Sequence, residues 1–211
     1  MSVLVIPSVN NEWAIECLES FGHSFSIEPL IVNNTVKNYG VAGAWNLGAD
    51  KVLSEKHDWL IICSESVRFG VHGQADLLRA MSEASEDTMV LEADNDLGWH
   101  LICFRREVFE QVGYFDELFF PAYYEDNDFS YRYQQAFRDR IESYPLWPKI
   151  KVDCELLGKA QGLNHVATID FVELERQYEM KWGGVSPNET FLVPYNNPML
   201  TWRYVQRRHV L

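Results

Sequence analysis

The chain has 211 residues, 47% of them hydrophobic and 23% charged, enough for one domain with a real core and too apolar for a disordered segment. Its formal net charge of −13 argues against a nucleic-acid backbone as the main partner, since phosphate recognition needs clustered Lys and Arg. No apolar run approaches the roughly 20 residues that span a bilayer. The opening "MSVLVIPSVNNEW" has no basic region ahead of its apolar stretch and reads as no signal peptide. Cys17, Cys63, Cys103 and Cys154 are widely spaced with no C-x-x-C pair, which suits reduced thiols and makes the cytoplasm the default expectation.

In chain order, "SVLVI" (Ser2 to Ile6) reads as a buried strand. Ala14, Cys17, Leu18 and Phe21 then recur at helical spacing before Gly22, a C-terminal cap. "EPLIV" is a second strand. Val41, Ala44, Trp45, Gly48 and Val52 mark the next helix, "WLIIC" (Trp59 to Cys63) a third strand, and Leu77, Leu78 and Met81 another helix. This alternation predicts right-handed crossovers and a mostly parallel sheet. "MVLE" and "WHLICF" read as further strands, and "RREVFEQVG" as a short helix ended by Gly113. A helix after "YYEDNDFSYR" runs to Phe137 with Phe129, Tyr133, Ala136 and Phe137 inward. "KIKVD" and "GLNHVATI" are candidate late strands, and "KWGG" opens a loop-rich tail. The economical organisation is one α/β domain over 1–185 with a C-terminal tail over 186–211.

Open parallel sheets bind ligands beyond the C-terminal ends of their strands. The segments there are "PSVNN", "NNTVKNYG" and "SESVRF", rich in Asn and Ser that hydrogen-bond a base or ribose but equally make turns. Three acids in four positions (Glu125, Asp126, Asp128) open a helix. Such acids cap free N–H groups and oppose the helix dipole, which accounts for one or two of the three.

The order and spacing of "NYGVAGAWNLGADKV", "DWLIICSESVRF", "FRREVFEQVGYFDELFF" and "YYEDNDFSYR" resemble family 2 glycosyltransferases of the GT-A fold. The resemblance covers about residues 1–185 and is most specific from Val112 to Arg132. It implies a Rossmann-like nucleotide-binding α/β domain and a nucleotide-sugar donor. It also implies an acceptor that is a glycan, a protein or a small molecule; a homo-oligomer is left open. It places the donor against Pro7, Ser8 and Asn10, against Asn33 with Asn34 (where the family commonly has Asp), and against Asn38, Gly40 and Asn46. The family's Asp-x-Asp motif for Mn2+ or Mg2+ reads Ser64, Glu65, Ser66 here. Glu65 is left as the carboxylate for a metal, with His165 as a second ligand, and Arg68, Arg105 and Lys181 are the alternative partners for the diphosphate. Trp99 and His100 fall where family members contact the sugar or acceptor. The resemblance implies an inverting transfer with Asp126 as general base, Glu125 binding the acceptor, and Asp128 orienting Asp126 or bracing the loop. The alternative is a non-catalytic module of the same fold that binds a nucleotide sugar or glycan.

Overall fold

The computed structural model describes residues 1–94, 97–138, 147–157 and 169–208. Strand β1 (Ser2–Ser8) is apolar and buried on both faces, as a central strand must be. It pairs in parallel with β2 (Ile27–Asn33) on one side and β3 (Trp59–Cys63) on the other. Helix α1 (Asn11–Phe21) connects β1 to β2: the Asn10 side chain accepts from the N–H groups of Glu12 and Trp13, and Gly22 ends it at φ 83°. Helix α2 (Gly40–Glu55) connects β2 to β3, and at Gly48 a Cβ would lie 2.7 Å from Leu60 and 3.0 Å from Val5, so the helix lies directly on the sheet.

The sheet has six strands in the order β2-β1-β3-β6-β5-β7, with β5 at Val90–Ala93, β6 at Leu101–Arg105 and β7 at Lys149–Ile150. Strand β6 alone among them runs against the rest, antiparallel to both β3 and β5. The reason is the short link from Ala93 to Leu101, which leaves no room for a crossover helix. A separate two-stranded ribbon pairs β4 (Val67–Phe69) with β8 (Cys154–Leu156). Helix α1 and α3 (Gly73–Glu83) cover one face of the sheet. Helices α2, α4 (Arg106–Val112) and α5 (Glu125–Phe137) cover the other, each over its own apolar core. Phe129, Tyr133 and Phe137 of α5 are buried there and Ala136 packs against them. Helix α6 (Phe171–Trp182) has no counterpart in the sequence reading. It buries Leu174, Tyr178 and Trp182 against Phe119 and Tyr131 in a third cluster. The stretch "GLNHVATI" lies outside the described residues.

Gly40 begins α2 at φ 70°, and a Cβ there would stand 2.8 Å from the Pro121 carbonyl oxygen and 2.9 Å from the Phe120 ring. The Val41 N–H donates to that carbonyl, so the close approach ties α2 to the segment leading into α5. Gly40→Ala is expected to destabilise the protein by about 2 kcal/mol through backbone strain and overpacking. Urea unfolding checks this, and a loss well below that would contradict the packing described.

Candidate active site

The C-terminal ends of β1 and β3, the single helical turn Gly98–His100 before β6, and the first residues of α5 surround one cavity of about 560 Å³. Its lining includes Pro7, Ser8, Asn34, Ser64, Glu65, Trp99, His100, Glu125 and Asp126, residues far apart in sequence. Trp45 and Trp99 stack with ring centroids 5.7 Å apart and form its aromatic wall. Trp99 also meets Phe104, Phe115 and Phe129 in the core, so one side chain serves both packing and the cavity. Trp45, read from periodicity as core alone, lines the cavity too.

At the strand ends, Glu65 Oε2 accepts from the N–H groups of Val9 and Asn10 at 3.1 and 3.0 Å, closing the β1–α1 loop. The Ser64 and Ser66 hydroxyls bond each other at 2.8 Å. The Asn34 side chain accepts from the Tyr39 N–H and donates to the Gly40 carbonyl, holding the β2–α2 loop. Ser8 Oγ is buried and has no hydrogen-bond partner among the described residues.

At the other wall, Tyr123 and Tyr124 carry φ values of 77° and 69° immediately before α5. Two consecutive left-handed non-glycine residues cost about 1–2 kcal/mol each, the kind of strain that collects at functional sites. Glu125 is only 5% exposed and its Oε2 lacks a partner among the described residues. Burial pushes its carboxyl well above the ordinary range and the neighbouring Asp126 charge adds to this, with backbone hydrogen bonds at Glu125 and Tyr123 opposing. Asp126 is half-buried, with Oδ1 accepting from the Asn127 N–H at 2.8 Å. Burial raises its carboxyl too, opposed by that amide and its own. Burial and the neighbouring Asp126 charge both act to raise Glu125, whereas burial is what raises Asp126.

Several residues expected at the site lie elsewhere. Asp128 is fully buried: Arg132 donates to its Oδ2, and Lys181 and the Trp182 indole N–H donate to its Oδ1. It braces α5 against α6 rather than orienting Asp126. Asn46 is buried on the far side of α2, clamping the Phe115 backbone through both amide groups and donating to Glu117. Asn33 caps Thr35, Asn38 caps Gly40, and Asn10 caps α1, which is the turn chemistry their residue types also permit. Gly40 approaches Pro121 rather than a ligand.

The three cations expected to meet a diphosphate do not line the cavity. Arg68 donates to the Glu65 and Val67 carbonyls and pairs with Glu16. Arg105 serves the carbonyls of Thr88, Ala84 and Ser85, level with the N-terminal end of β3 and away from the cavity. Lys181 is enclosed between Asp116 and Asp128. Among the described residues no Lys or Arg lines the cavity.

A divalent hard cation needs several oxygen ligands. At 64–66 Glu65 Oε2 accepts from two amides and the Ser64 and Ser66 hydroxyls bond each other; His165 lies outside the described residues. A different group, Glu28, Glu55 and His57, brings three ligand atoms within 4.8 Å of one another. It sits at the opposite edge of the sheet, and Lys51 Nζ already stands 2.9 Å from Glu28 and 2.7 Å from Glu55.

No family model matches the sequence, and no curated protein matches it. Among solved structures, the chain is similar to residues 1–349 of TarS from S. aureus. That match has 12% identity and a TM-score of 0.49, and covers 72% of this chain and 58% of that one. It is also similar to a glycosyltransferase involved in the glycosylation of the major capsid of PBCV-1. Here identity is 7% and the TM-score 0.42, covering 72% of this chain and 81% of the other. The chain thus spans less than two thirds of the length of the first of these. Among the described residues, no helix is long and apolar enough to cross a membrane.

Proposed function

We propose that the protein is an inverting glycosyltransferase that uses a nucleotide-sugar donor, with Asp126 as general base. The observation that carries this reading is the meeting of the strand-end segments and the Glu125–Asp126 pair in one cavity. Pro7, Ser8, Asn34, Ser64 and Glu65 form the side suited to base and ribose, and Trp99, Tyr123, Glu125 and Asp126 the side suited to the acceptor. In the reaction, an acceptor hydroxyl oxygen attacks the anomeric carbon from the face opposite the leaving group. Asp126 takes the hydroxyl proton as the new C–O bond forms. The bond to the phosphate oxygen breaks and its electron pair leaves with the nucleoside diphosphate. Neutral Glu125 donates a hydrogen bond to a sugar oxygen, and the Trp45–Trp99 wall keeps water from one flank of the reacting centre.

A base works only when ionised, so activity falls as pH drops through the raised Asp126 pKa. The acid limb of kcat/KM is therefore expected above the ordinary aspartate value of about 3.9. A profile from pH 4 to 9 checks this, and a limb at or below that value would contradict the environment described for Asp126. Both raised carboxyls bind protons more tightly in the folded state. They weaken folding as pH rises from about 4 through their native values.

The absence of a Lys or Arg from the described lining and the engaged Glu65 favour a second reading, a module that binds a nucleotide sugar or glycan without turnover. Incubation with UDP-, GDP- and dTDP-sugars, with and without Mn2+, separates the two through nucleotide release. Release from at least one donor is expected. Measurable binding without release from any would establish the binding module instead.

A further inference from the structure

The aromatic run from Tyr114 to Tyr124 has one member placed to meet a ligand. Phe115 and Phe119 are fully buried, and Tyr124 is tied through its hydroxyl to Glu175. Tyr123 lines the cavity, is 40% exposed, and is held in the left-handed region directly before Glu125. Its ring lies 4.6 Å from that of Phe171, the first residue of α6, which is 41% exposed and followed by the 80% exposed Val172. Two exposed aromatic rings in contact, beside a pair of carboxyls, make a surface with an apolar platform and hydrogen-bonding groups at its edge.

We propose that this platform is the acceptor subsite and that the acceptor is an uncharged sugar ring, seated with its C–H face on Tyr123 and Phe171. The proposal rests on the transferase reading of the same cavity. A pyranose has this dual character, with axial C–H bonds on one face and hydroxyls around its rim. Glu125 Oε2, buried and without a partner among the described residues, supplies the unmet hydrogen-bonding capacity that a rim hydroxyl satisfies. The strained backbone at Tyr123 and Tyr124 allows the Tyr123 ring to face outward while Glu125 begins the helix inward. Charge narrows the class further. Asp126 stands beside the platform and no described lining residue is Lys or Arg, so a phosphorylated, sulfated or uronic acceptor would be disfavoured.

The test reads acceptor binding without the donor. Saturation-transfer NMR is recorded with maltotriose, cellotriose and chitotriose as neutral probes and trigalacturonate as the acidic one. At least one neutral trisaccharide is expected to bind and the acidic one not. Tyr123→Ala is expected to weaken neutral binding about tenfold, with Tyr123→Trp restoring it. Phe171→Ala, at a half-exposed helix start, gives a second variant whose folding is checked by its thermal midpoint. Equal or better binding of trigalacturonate, binding of no neutral probe, or neutral binding unchanged in both alanine variants would each overturn the assignment. Nucleotide release from UDP-, GDP- and dTDP-sugars in the presence of the bound trisaccharide is measured in parallel: its absence would count against the transferase reading and leave the sugar-binding result standing.

Discussion

Asp126→Asn is expected to lower acceptor-dependent transfer by about a hundred- to ten-thousand-fold while donor affinity changes little. The amide keeps the shape of the carboxylate and an oxygen for the Asn127 N–H, but it takes no proton from the attacking hydroxyl. Glu125→Gln is the informative companion. A glutamine still donates a hydrogen bond, so if Glu125 works as a neutral donor its loss costs far less than that of Asp126. Steady-state kinetics on both variants separate the roles. Undiminished transfer by Asp126→Asn would remove it as the base.

The second large effect concerns stability. Lys181, Asp116, Asp128 and Arg132 are all fully buried, and Lys181 Nζ bridges the two carboxylates. Burial alone would raise the Asp128 carboxyl, but the Arg132 and Lys181 charges outweigh it and hold it below its ordinary value. Lys181→Met keeps the length of the side chain and removes its charge, leaving Asp116 without its cation and Asp128 with one of two. A loss of about 3–5 kcal/mol in urea unfolding is expected, because a buried charge left unpaired costs more than the pair contributes. Pairing it with Asp116→Asn should recover part of the loss. The native Asp128 pKa lies below its unfolded value. Its contribution is thus present above about pH 4 and is lost as pH falls through the native value. A loss under 1 kcal/mol in the single variant would mean that the network is not what holds α6 to α5.

The same residues show where sequence reasoning works and where it stops. Strands β1, β2 and β3 and helices α1 and α2 are legible because burial on a sheet imposes uninterrupted apolar runs and helical periodicity locally. The β4–β8 ribbon is decided by pairing partners distant in sequence, which no local pattern records. Helix α6 did carry a signal: Asp170 accepts from the Glu173 N–H, a cap three residues before an acid, followed by Leu174, Tyr178, Lys181 and Trp182 on one face. The charged composition between them obscured it. At the site, sequence order leads to Glu125 and Asp126 and to Ser8, Ser64 and Glu65, which the structure gathers in one cavity. The asparagines were harder to assign, because an Asn that caps a turn and an Asn that holds a ribose look alike until their hydrogen bonds are seen. Lys181 was misplaced for the same reason: a lysine near a glycine-rich loop reads as exposed, and only α6 packing on Asp116 and Asp128 encloses it.

The account depends most on a single displacement driven by Asp126, and the stereochemistry of the product tests that directly. Proton NMR of the anomeric centre, followed as wild-type protein acts on α-linked UDP-, GDP- and dTDP-sugars with a neutral trisaccharide acceptor, is predicted to show a β-linked product forming with the free nucleotide. A product that keeps the α configuration, or no product from any donor, would contradict it.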